Sequence, residues 1–444
     1  MSADRRAAPA AAPATVAAPP AAPAPPAAPA TVAAPAAVAA AGGAQRDPAY
    51  TVERLERAQD LPRQVWDELA PADDPMWGRD VFTAMQRAEI GPDAYAYLLV
   101  REDGRPFALL PLSAVHGLRL DRVVGPRERR LMAPVARAFP RLVRVPMLFC
   151  GNFLGQGHVM GRGRLPTAAA RLLVREVMDF ARGHRLGTVV FKDFAPDGLD
   201  ALRPGLDEQG FFTVASLPDT QLALGQPDFE SYLASLPAKP RRNARNKIRK
   251  FHRQEDLRME VLDEFGHLVP EMMGLYRQVM DRADQTLDVL DEAFVRALSD
   301  SKAGGAGGED GDGQGQGDGD GEGARTEQRL VACFEGERLV GYLHCLFRGR
   351  GAVGARIGMD YGLAHRARLY HNLHYAAIEL AIARGCRHIR FAQTAYEPKR
   401  EFGCELVEQS YALNHTGRLP RTILRLLLPP ALEAARAQAL APRS

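Results

Sequence analysis

Apolar and polar residues alternate along this chain in short runs that predict strands separated by helices. Tyr95–Val100 and Phe107–Ala114 flank the turn Asp103-Gly104, a pattern that predicts a β-hairpin. The first half continues with a strand at Val143–Cys150, a helix at Pro166–Arg182, and strands at Thr188–Phe191 and Phe211–Ala215. Such an order of elements predicts a fold in which helices pack on a sheet, of the α/β or α+β class.

The second half repeats the order of the first. Arg329–Phe334 and Leu339–Phe347 flank the turn Glu335-Gly336-Glu337, which predicts a second hairpin. The elements predicted after this hairpin are a strand at Gly351–Met359, a helix at Leu369–Arg384, a strand at His388–Gln393 and a last strand at Val407–Asn414.

The two halves also share sequence where a helix leads into a strand. Phe180-Ala-Arg-Gly183 precedes Val189-Val-Phe191, and Ile382-Ala-Arg-Gly385 precedes Ile389-Arg-Phe391. In both halves the helix ends on glycine, the residue that helix C-termini prefer. Because order, spacing and sequence all match, we interpret the chain as a tandem duplication.

Two segments of low complexity interrupt this pattern. Residues 1–47 are nearly all Ala and Pro, and they lack the large side chains whose burial would offset the entropy of ordering. Residues 301–324 contain eleven glycines and six acidic residues, without the flanking helices that a calcium-binding EF-hand needs. We therefore predict a disordered tail at 1–47 and a flexible insertion at 301–324.

The composition excludes several classes of protein. The apolar fraction of 46% and the charged fraction of 25% are ordinary for a globular protein. No apolar stretch approaches the roughly 18 residues of a membrane span, and the N-terminus does not resemble a secretory signal. The five cysteines form no C-x-x-C pair, so we expect neither a disulfide framework nor a metal site. These features predict a cytoplasmic protein.

Positive charge is concentrated in one segment. Residues 239–253 contain eight Lys or Arg and no acid, although the net charge of the chain is only +3. On a helix, like charges four residues apart repel, and an anionic partner would relieve that repulsion. We interpret Arg242, Arg245 and Arg249 as contacts for the phosphates of a donor molecule. The alternative is an ordinary solvated helix face.

Three stretches make the sequence similar to the FemAB-like branch of the GNAT acyltransferase superfamily. They are Tyr232–Lys250, Gly358–Tyr361 together with Leu369–Gly385, and Phe391–Cys404. The resemblance covers about residues 50–425. It implies two tandem GNAT-like domains at 48–218 and 219–425, each a mixed, mainly antiparallel sheet flanked by helices, followed by a tail at 426–444.

The same resemblance implies N-acyl transfer from an activated donor to an amine, without a covalent enzyme intermediate. The expected donor is an acyl-CoA, which acts as a co-substrate rather than a tightly bound cofactor. GNAT enzymes usually bind the donor's pyrophosphate on the amides of a glycine loop. The corresponding segment Leu363–His371 has no glycine, and Asn152–Gly157 of the first half has Asn where Gln or Arg is usual. Acyl carrier protein and aminoacyl-tRNA therefore remain alternative donors, and a non-catalytic module that binds nucleic acid or a carrier protein remains a further alternative.

Acyl transfer to an amine needs a base for the amine proton and an acid for the leaving group. His371 and Asp360 are candidate bases, and the alternative role of Asp360 is to cap the turn at Tyr361-Gly362. Tyr396 is the candidate acid. Lys399 matches a lysine of the family and is expected to bind donor or substrate. The other residues expected to contact donor or substrate are Arg242, Arg245, Arg249, Tyr370, Asn372, Gln393, Thr394 and Arg400.

The last apolar segment, Arg421–Leu428, is basic as well as apolar. We expect it to dock against the C-terminal domain. Association with a membrane surface is the alternative, because basic amphipathic helices bind there.

Overall fold

The computed structural model describes residues 48–119, 144–282, 292–303 and 325–441. The predicted tail at 1–47 lies outside the described residues, and so does the predicted insertion at 301–324 except for its first three residues. The described residues from Pro48 onwards belong to one compact unit.

The first half contains the six elements predicted from the sequence, in the predicted order, and six further elements. They are β1 (Tyr50–Leu55), α1 (Arg63–Leu69), α2 (Arg79–Arg87), β2 (Ala94–Glu102), β3 (Arg105–Arg119), β4 (Arg144–Cys150), β5 (Met160–Gly161), α3 (Thr167–Gly183), β6 (Thr188–Phe194), α4 (Pro196–Gln209), β7 (Phe212–Ala215) and β8 (Asp219–Ala223). The predicted hairpin is confirmed as β2 and β3. Its turn residues Asp103 and Gly104 have positive φ values of 47° and 80°. Glycine adopts positive φ values without steric cost.

The second half contains the remaining elements. They are α5 (Phe229–Ser235), α6 (Ala238–His252), β9 (Leu257–Leu262), α7 (Val269–Met280), α8 (Glu292–Ala303), β10 (Glu327–Glu335), β11 (Arg338–Arg348), β12 (Gly351–Met359), α9 (Tyr361–Ala367), α10 (Leu369–Ala383), β13 (His388–Arg390), α11 (Tyr396–Glu401), β14 (Glu405–Val407), β15 (Ser410–His415) and α12 (Arg418–Leu440). The predicted strand at His388–Gln393 is shorter than expected and ends at Arg390.

The strands form two mixed sheets. The first has the order β1-β2-β3-β4-β6-β15-β7, with β5 on β3, and the second has the order β14-β8-β13-β12-β11-β10-β9. Among the described strands, each sheet contains one parallel pair, β4 with β6 and β12 with β13, and the other pairs are antiparallel. In each half a long helix, α3 or α10, connects the two parallel strands. The predicted architecture of two mixed, mainly antiparallel sheets is confirmed.

The two halves exchange strands. β8 follows β7 as β15 follows β14, so we count it with the first half, although the predicted domain boundary lies directly before it. It lies between β13 and β14 in the second sheet. β15 comes near the end of the chain but lies between β6 and β7 in the first sheet. The sequence predicted one last strand at Val407–Asn414. The structure divides that segment between the two sheets, because β14 pairs in the second and β15 in the first.

Helix α12 includes most of the segment predicted as a tail at 426–444. Its side chains Leu424, Leu428 and Leu432 pack on a buried apolar cluster, and the helix contacts β7 and β15. The first sheet therefore supplies the main contacts of Arg421–Leu428, where the sequence indicated the C-terminal domain. Among the described residues, no helix combines the length and the apolar character needed to cross a bilayer.

Buried ion pairs join the second sheet to the segment that precedes β2. The guanidinium of Arg348 lies 2.8 Å from the carboxylate of Asp67, and its side chain is 1% exposed. Arg390, at the end of β13, lies 2.5 Å from Asp74 and 3.9 Å from Asp219, and its side chain is 6% exposed. A buried charge is costly unless it is paired, so each of these arginines depends on its carboxylates and the carboxylates depend on the arginine.

We expect Arg390→Met to lower the free energy of unfolding by about 3–5 kcal/mol, because it leaves two buried carboxylates without their cation. Urea denaturation of the full chain measures the change. The matched control is Arg203→Met, which removes a pair with Asp200 of the same length, 2.5 Å, between side chains that are more than half exposed. The control should show no measurable loss, and equal losses in both variants would contradict the proposed role of Arg390.

Candidate active site

The two parallel strands of the second sheet separate as they reach their carboxyl ends. β12 and β13 pair through Val353 and Arg390, after which β12 continues to Met359 while β13 stops. The ring of Phe391 fills the start of this opening. An added Cβ at Gly354 of β12 would lie 2.7 Å from Phe391 Cδ1, so glycine permits the close approach. The residues directly after β13 therefore lie at the carboxyl end of the parallel strand pair, the edge at which ligands bind in open sheets.

The backbone of this loop is strained. Ala392, Thr394 and Ala395 have φ values of 58°, 67° and 47° in the left-handed region, which residues other than glycine seldom adopt. Such conformations cost about 1–3 kcal/mol each and persist only where the surroundings hold them. Of the predicted site residues, Thr394 is exposed in this loop.

Lys399 holds the loop. Its ammonium Nζ lies 2.6, 2.9 and 3.0 Å from the carbonyl oxygens of Phe391, Ala392 and Gln393. An ammonium group has three hydrogens to donate, so these three carbonyls use all of them. Burial lowers the pKa of Lys399 to about 8, and the nearby charge of Asp219 opposes that shift. These contacts give Lys399 a structural role, while its predicted contact with donor or substrate stays a prediction.

Two further predicted residues attach the loop to the first half of the chain. The amide nitrogen of Gln393 lies 3.0 Å from the carboxylate of Asp193 and 2.9 Å from the carbonyl oxygen of Leu217. The buried hydroxyl of Tyr396 donates to the carbonyl oxygen of Pro218 at 2.8 Å, and burial raises its pKa to about 12. Both side chains therefore fix the loop relative to the segment that precedes β8.

The start of α10 is shaped by a break in the helix. Arg368 has a φ of 53° and separates α9 from α10. The side-chain amide of Asn372 donates to the carbonyl oxygens of Ala367 and Arg368, each at 3.1 Å, and lies 3.4 Å from that of Lys247 in α6. Asn372 is 6% exposed, so its contacts are those of a residue that stabilises the break.

In the first turn of α10, His371 faces a partly buried ion pair. Its Nε2 lies 3.6 Å from the carboxylate of Glu401 in α11, and Lys247 of α6 donates to that same carboxylate. Burial, together with the charge of Lys247, lowers the pKa of His371 to about 4, while Glu401 acts in the opposite direction. Burial opposes ionisation of Glu401, but Lys247 outweighs it and holds the pKa of this carboxyl below its usual value. Sequence reasoning missed Glu401.

Aromatic rings join the two parts of the site. The ring of Phe402 lies 5.6 Å from that of His371, 6.3 Å from that of Tyr370 and 6.3 Å from that of Phe391. Tyr370 also packs on His374, at 4.2 Å between centroids. The predicted residues of α10 and those of the 391–400 segment are thus brought to one region, with Phe402 between them.

Asp360 is occupied by structural contacts. One carboxylate oxygen accepts from the backbone N–H of Gly362 at 2.8 Å and caps α9, and the other lies 2.9 Å from Arg338. The backbone N–H groups of Leu363 and Ala364 donate to the Asp360 carbonyl at 3.1 and 3.0 Å. The capping role weighed from the sequence is confirmed, and these amides already have acceptors within the chain.

The glycine loop of the first half is also closed. The side-chain oxygen of Asn152 accepts from the backbone N–H groups of Leu154 and Gly155 at 2.9 and 3.1 Å. The N–H of Gly157 donates to the carbonyl of Asp193 at 2.9 Å. An added Cβ at Gly157 would lie 2.1 Å from the carbonyl oxygen of Lys192, which explains the glycine by close packing. This loop has the contacts of a packing motif.

Helix α6 divides its cations between two sides. Lys247 and Asn243 face Glu401, with the asparagine amide 3.4 Å from that carboxylate. Arg242, Arg245 and Arg249 share the opposite, exposed side. Arg245 lies 3.4 Å from Glu230, and Arg249 contacts Asn246. In the part of the chain that the structure describes, neither Arg242 nor Arg249 has a carboxylate within ion-pairing distance. Arg400 is likewise exposed, next to Glu401 in α11.

No protein-family model matches the sequence, and no curated protein matches it. Among solved structures, FemX matches with a TM-score of 0.51 and 10% identity, over 84% of this chain and 99% of FemX. A tandem GNAT protein from the clavulanic acid biosynthesis pathway matches with a TM-score of 0.46 and 13% identity, over 83% of this chain and 99% of its own. The C-terminal domain of a putative lysylphosphatidylglycerol synthetase from Agrobacterium fabrum has a TM-score of 0.45 and 11% identity, over 86% and 98%. The match to FemX confirms the fold that the sequence resemblance implied.

We expect Lys399→Met to lower the free energy of unfolding by about 3 kcal/mol, because it leaves three carbonyls of a strained loop without their donor. Thermal and urea denaturation measure the loss. Arg400→Met is the matched control, since it removes the exposed cation that follows in the same helix, and it should leave stability unchanged. A Lys399→Met protein as stable as the parent would show that the ammonium does not hold the loop.

The imidazole of His371 should titrate with a midpoint of about 4 instead of the ordinary 6.5. The unfolded imidazole binds its proton at higher pH than the folded one, so this group's contribution to stability is lost as the pH falls from 6.5 towards 4. A proton NMR titration, assigned with His371→Gln, measures the midpoint. Glu401→Gln should lower it further, whereas Glu397→Gln, an exposed carboxylate of the same helix, should not. A midpoint near 6.5 would contradict this environment.

Proposed function

We propose that this protein is an N-acyltransferase that moves an acyl group from an activated donor to an amine, with His371 as the base. The observation that supports it is the cluster of three side chains formed by His371 at the start of α10, Glu401 of α11 and Lys247 of the basic helix α6. We place the base at His371 because the carboxylate of Asp360 is already held by Gly362 and Arg338.

The reaction follows from these groups. The amine attacks the acyl carbonyl carbon and a C–N bond forms. Nδ1 of His371, the ring nitrogen that does not face Glu401, takes a proton from the amine. Because the pKa of His371 is low, its ring is neutral at pH 7 and can accept a proton. The carboxylate of Glu401 stabilises the imidazolium that forms. When the bond between the acyl carbon and the leaving group breaks, the imidazolium returns the proton to the leaving thiolate or alkoxide. Tyr396 donates its hydroxyl hydrogen to the carbonyl oxygen of Pro218 and so positions the loop that follows β13.

For the donor we propose an acyl-CoA whose phosphates contact the exposed side of α6. Several amides of the two candidate phosphate loops, among them those of Leu154, Gly155, Leu363 and Ala364, already have acceptors within the chain. Arg242 and Arg249, in contrast, have no carboxylate partner among the described residues. Arginine binds phosphate oxygens with two parallel hydrogen bonds, which suits this role.

A second candidate donor is aminoacyl-tRNA, favoured by the length of the cationic side. Exposed cations extend from Lys239 to Arg253, the length of a helix of about 22 Å. A nucleic-acid backbone presents phosphates continuously over such a distance and could neutralise the whole row.

Calorimetric titration of the full chain with acetyl-CoA, long-chain acyl-CoA, acyl carrier protein and bulk tRNA tests the proposal. Saturable micromolar binding of an acyl-CoA supports the first donor. Salt-sensitive binding of tRNA, together with no detectable binding of any CoA compound, supports aminoacyl-tRNA as the donor. Binding of nucleic acid or carrier protein with no transfer of an acyl group from any donor would replace the enzyme proposal with a binding module.

We expect the triple variant Arg242→Ala, Arg245→Ala, Arg249→Ala to weaken binding of the donor and to reduce its dependence on salt. With tRNA as the ligand, each lost phosphate contact should lower the slope of log K against log salt by about 1. The matched control removes three exposed arginines from α3, namely Arg171, Arg175 and Arg182. If both triple variants lose affinity equally, the effect comes from net charge, and α6 is not the donor site.

A further inference from the structure

Helix α12 has two apolar sides, and only one is covered. Leu424, Leu428 and Leu432 pack against the body of the protein. On the other side, four large apolar side chains face solvent, namely Leu419, Ile423, Leu426 and Leu427, with exposures of 72, 48, 68 and 67%. Their spacing of four, seven and eight residues from the first places them on a single helix face. We call these four residues the outer stripe.

The outer stripe is unusual within this molecule. Among the described residues, the exposed large hydrophobic side chains are these four and Val261, which is 45% exposed. Soluble proteins normally leave such side chains scattered singly, and a contiguous group marks a surface of interaction. We therefore expect the outer stripe to be covered by a binding partner.

Charge indicates which occupant fits. Residues 418–432 of α12 contain three arginines and no acid, and the first carboxylate of the helix is Glu433. Arg418 and Arg425 are exposed on one flank of the helix, between the outer stripe and the covered side, and Arg425 also lines a cavity against α4. Neither has a carboxylate within ion-pairing distance among the described residues. Arg421 donates to the carbonyl of His415 at 3.3 Å. An apolar stripe bordered by unpaired arginines is complementary to a surface that is apolar inside and anionic outside.

Two other occupants fit less well. A second copy packed through the same stripe would place the arginines of both helices along one rim, with no acid in residues 418–432 to pair with them, and such like-charge contacts oppose association. The Ala/Pro segment at 1–47 contains no Leu, Ile or Phe with which to cover the stripe.

We propose that α12 is a membrane-surface helix that binds anionic phospholipid. The outer stripe enters the boundary between head groups and acyl chains, and Arg418 and Arg425 contact lipid phosphates. Because no described helix can cross a bilayer, the association is peripheral and reversible. This inference stands independently of the proposed acyl transfer, since it uses none of the site residues.

Flotation of the full-length protein with vesicles tests the proposal. Vesicles of equal parts phosphatidylglycerol and phosphatidylcholine should bind the protein, less strongly as salt rises, and vesicles of phosphatidylcholine alone should bind it weakly. The double variant Leu426→Ser, Leu427→Ser should lose affinity by more than about tenfold. Arg418→Ala with Arg425→Ala should lose about 30-fold on the anionic vesicles, since each cation at such a surface contributes about 1 kcal/mol.

The controls separate this surface from general effects. Val261→Ser removes an exposed apolar side chain on β9, and Arg171→Ala with Arg175→Ala removes the same charge from α3; both should bind like the parent. All substitutions are at exposed positions and should leave the melting temperature unchanged. Absence of binding to anionic vesicles overturns the proposal. A dimer in sedimentation that the Leu426/Leu427 variant abolishes, without vesicle binding, also overturns it and assigns the stripe to a second copy.

Discussion

The reciprocal exchange of β8 and β15 is the constraint on which the rest of the structure depends. Each exchanged strand lies in the interior of the other half's sheet, so removing it would break hydrogen bonds on both of its sides. The exchange also brings three chain segments to one place. Gln393, beyond β13, lies within 3.0 Å of Leu217 before β8 and of Gln409 before β15. The loop that follows β13 is therefore held by hydrogen bonds from both halves. These hydrogen bonds allow the strained backbone at Ala392, Thr394 and Ala395 to persist.

Buried charged side chains also stabilise the place where the segments before β8, after β13 and before β15 meet. Burial raises the pKa of Asp219, and Arg390 opposes that shift. A neutral side chain of similar size could fill the space of Lys399, but it could not donate to three carbonyls at once. The lysine is therefore retained in a buried position, where desolvation disfavours its charge, because the geometry of the loop needs its three donors. The three backbone carbonyls that Lys399 binds are enough to explain its burial, whether or not it also contacts a donor molecule.

Local patterns predicted about half of the elements, among them both hairpins and the two long helices, and contacts distant in sequence limited the prediction of the site. The hairpin at Asp103-Gly104, the helices α3 and α10 and the cap at Asp360 follow from periodicity and from residues two to four positions apart. The exchange of β15 could not be predicted, because an apolar strand fits the interior of either sheet. Glu401 was missed for a similar reason: the segment at 239–253 lacks an acid of its own, and its partner lies 154 residues from Lys247. The resemblance identified Lys399, but contacts with backbone carbonyls leave no signal in the sequence.

The contacts of the two halves lead us to expect different roles for them. In the first half, Asn152 and Asp193 accept the amides of the glycine loop, so the loop that most resembles a phosphate site is closed by its own residues. The same half contributes the Asp219 carboxylate and the Leu217 and Pro218 carbonyls to the support of the second half's loop. A duplicated domain that gives its polar groups to its neighbour in this way cannot keep an independent site with the same groups. We therefore expect one working site per chain, in the second half, with the first half acting as its scaffold.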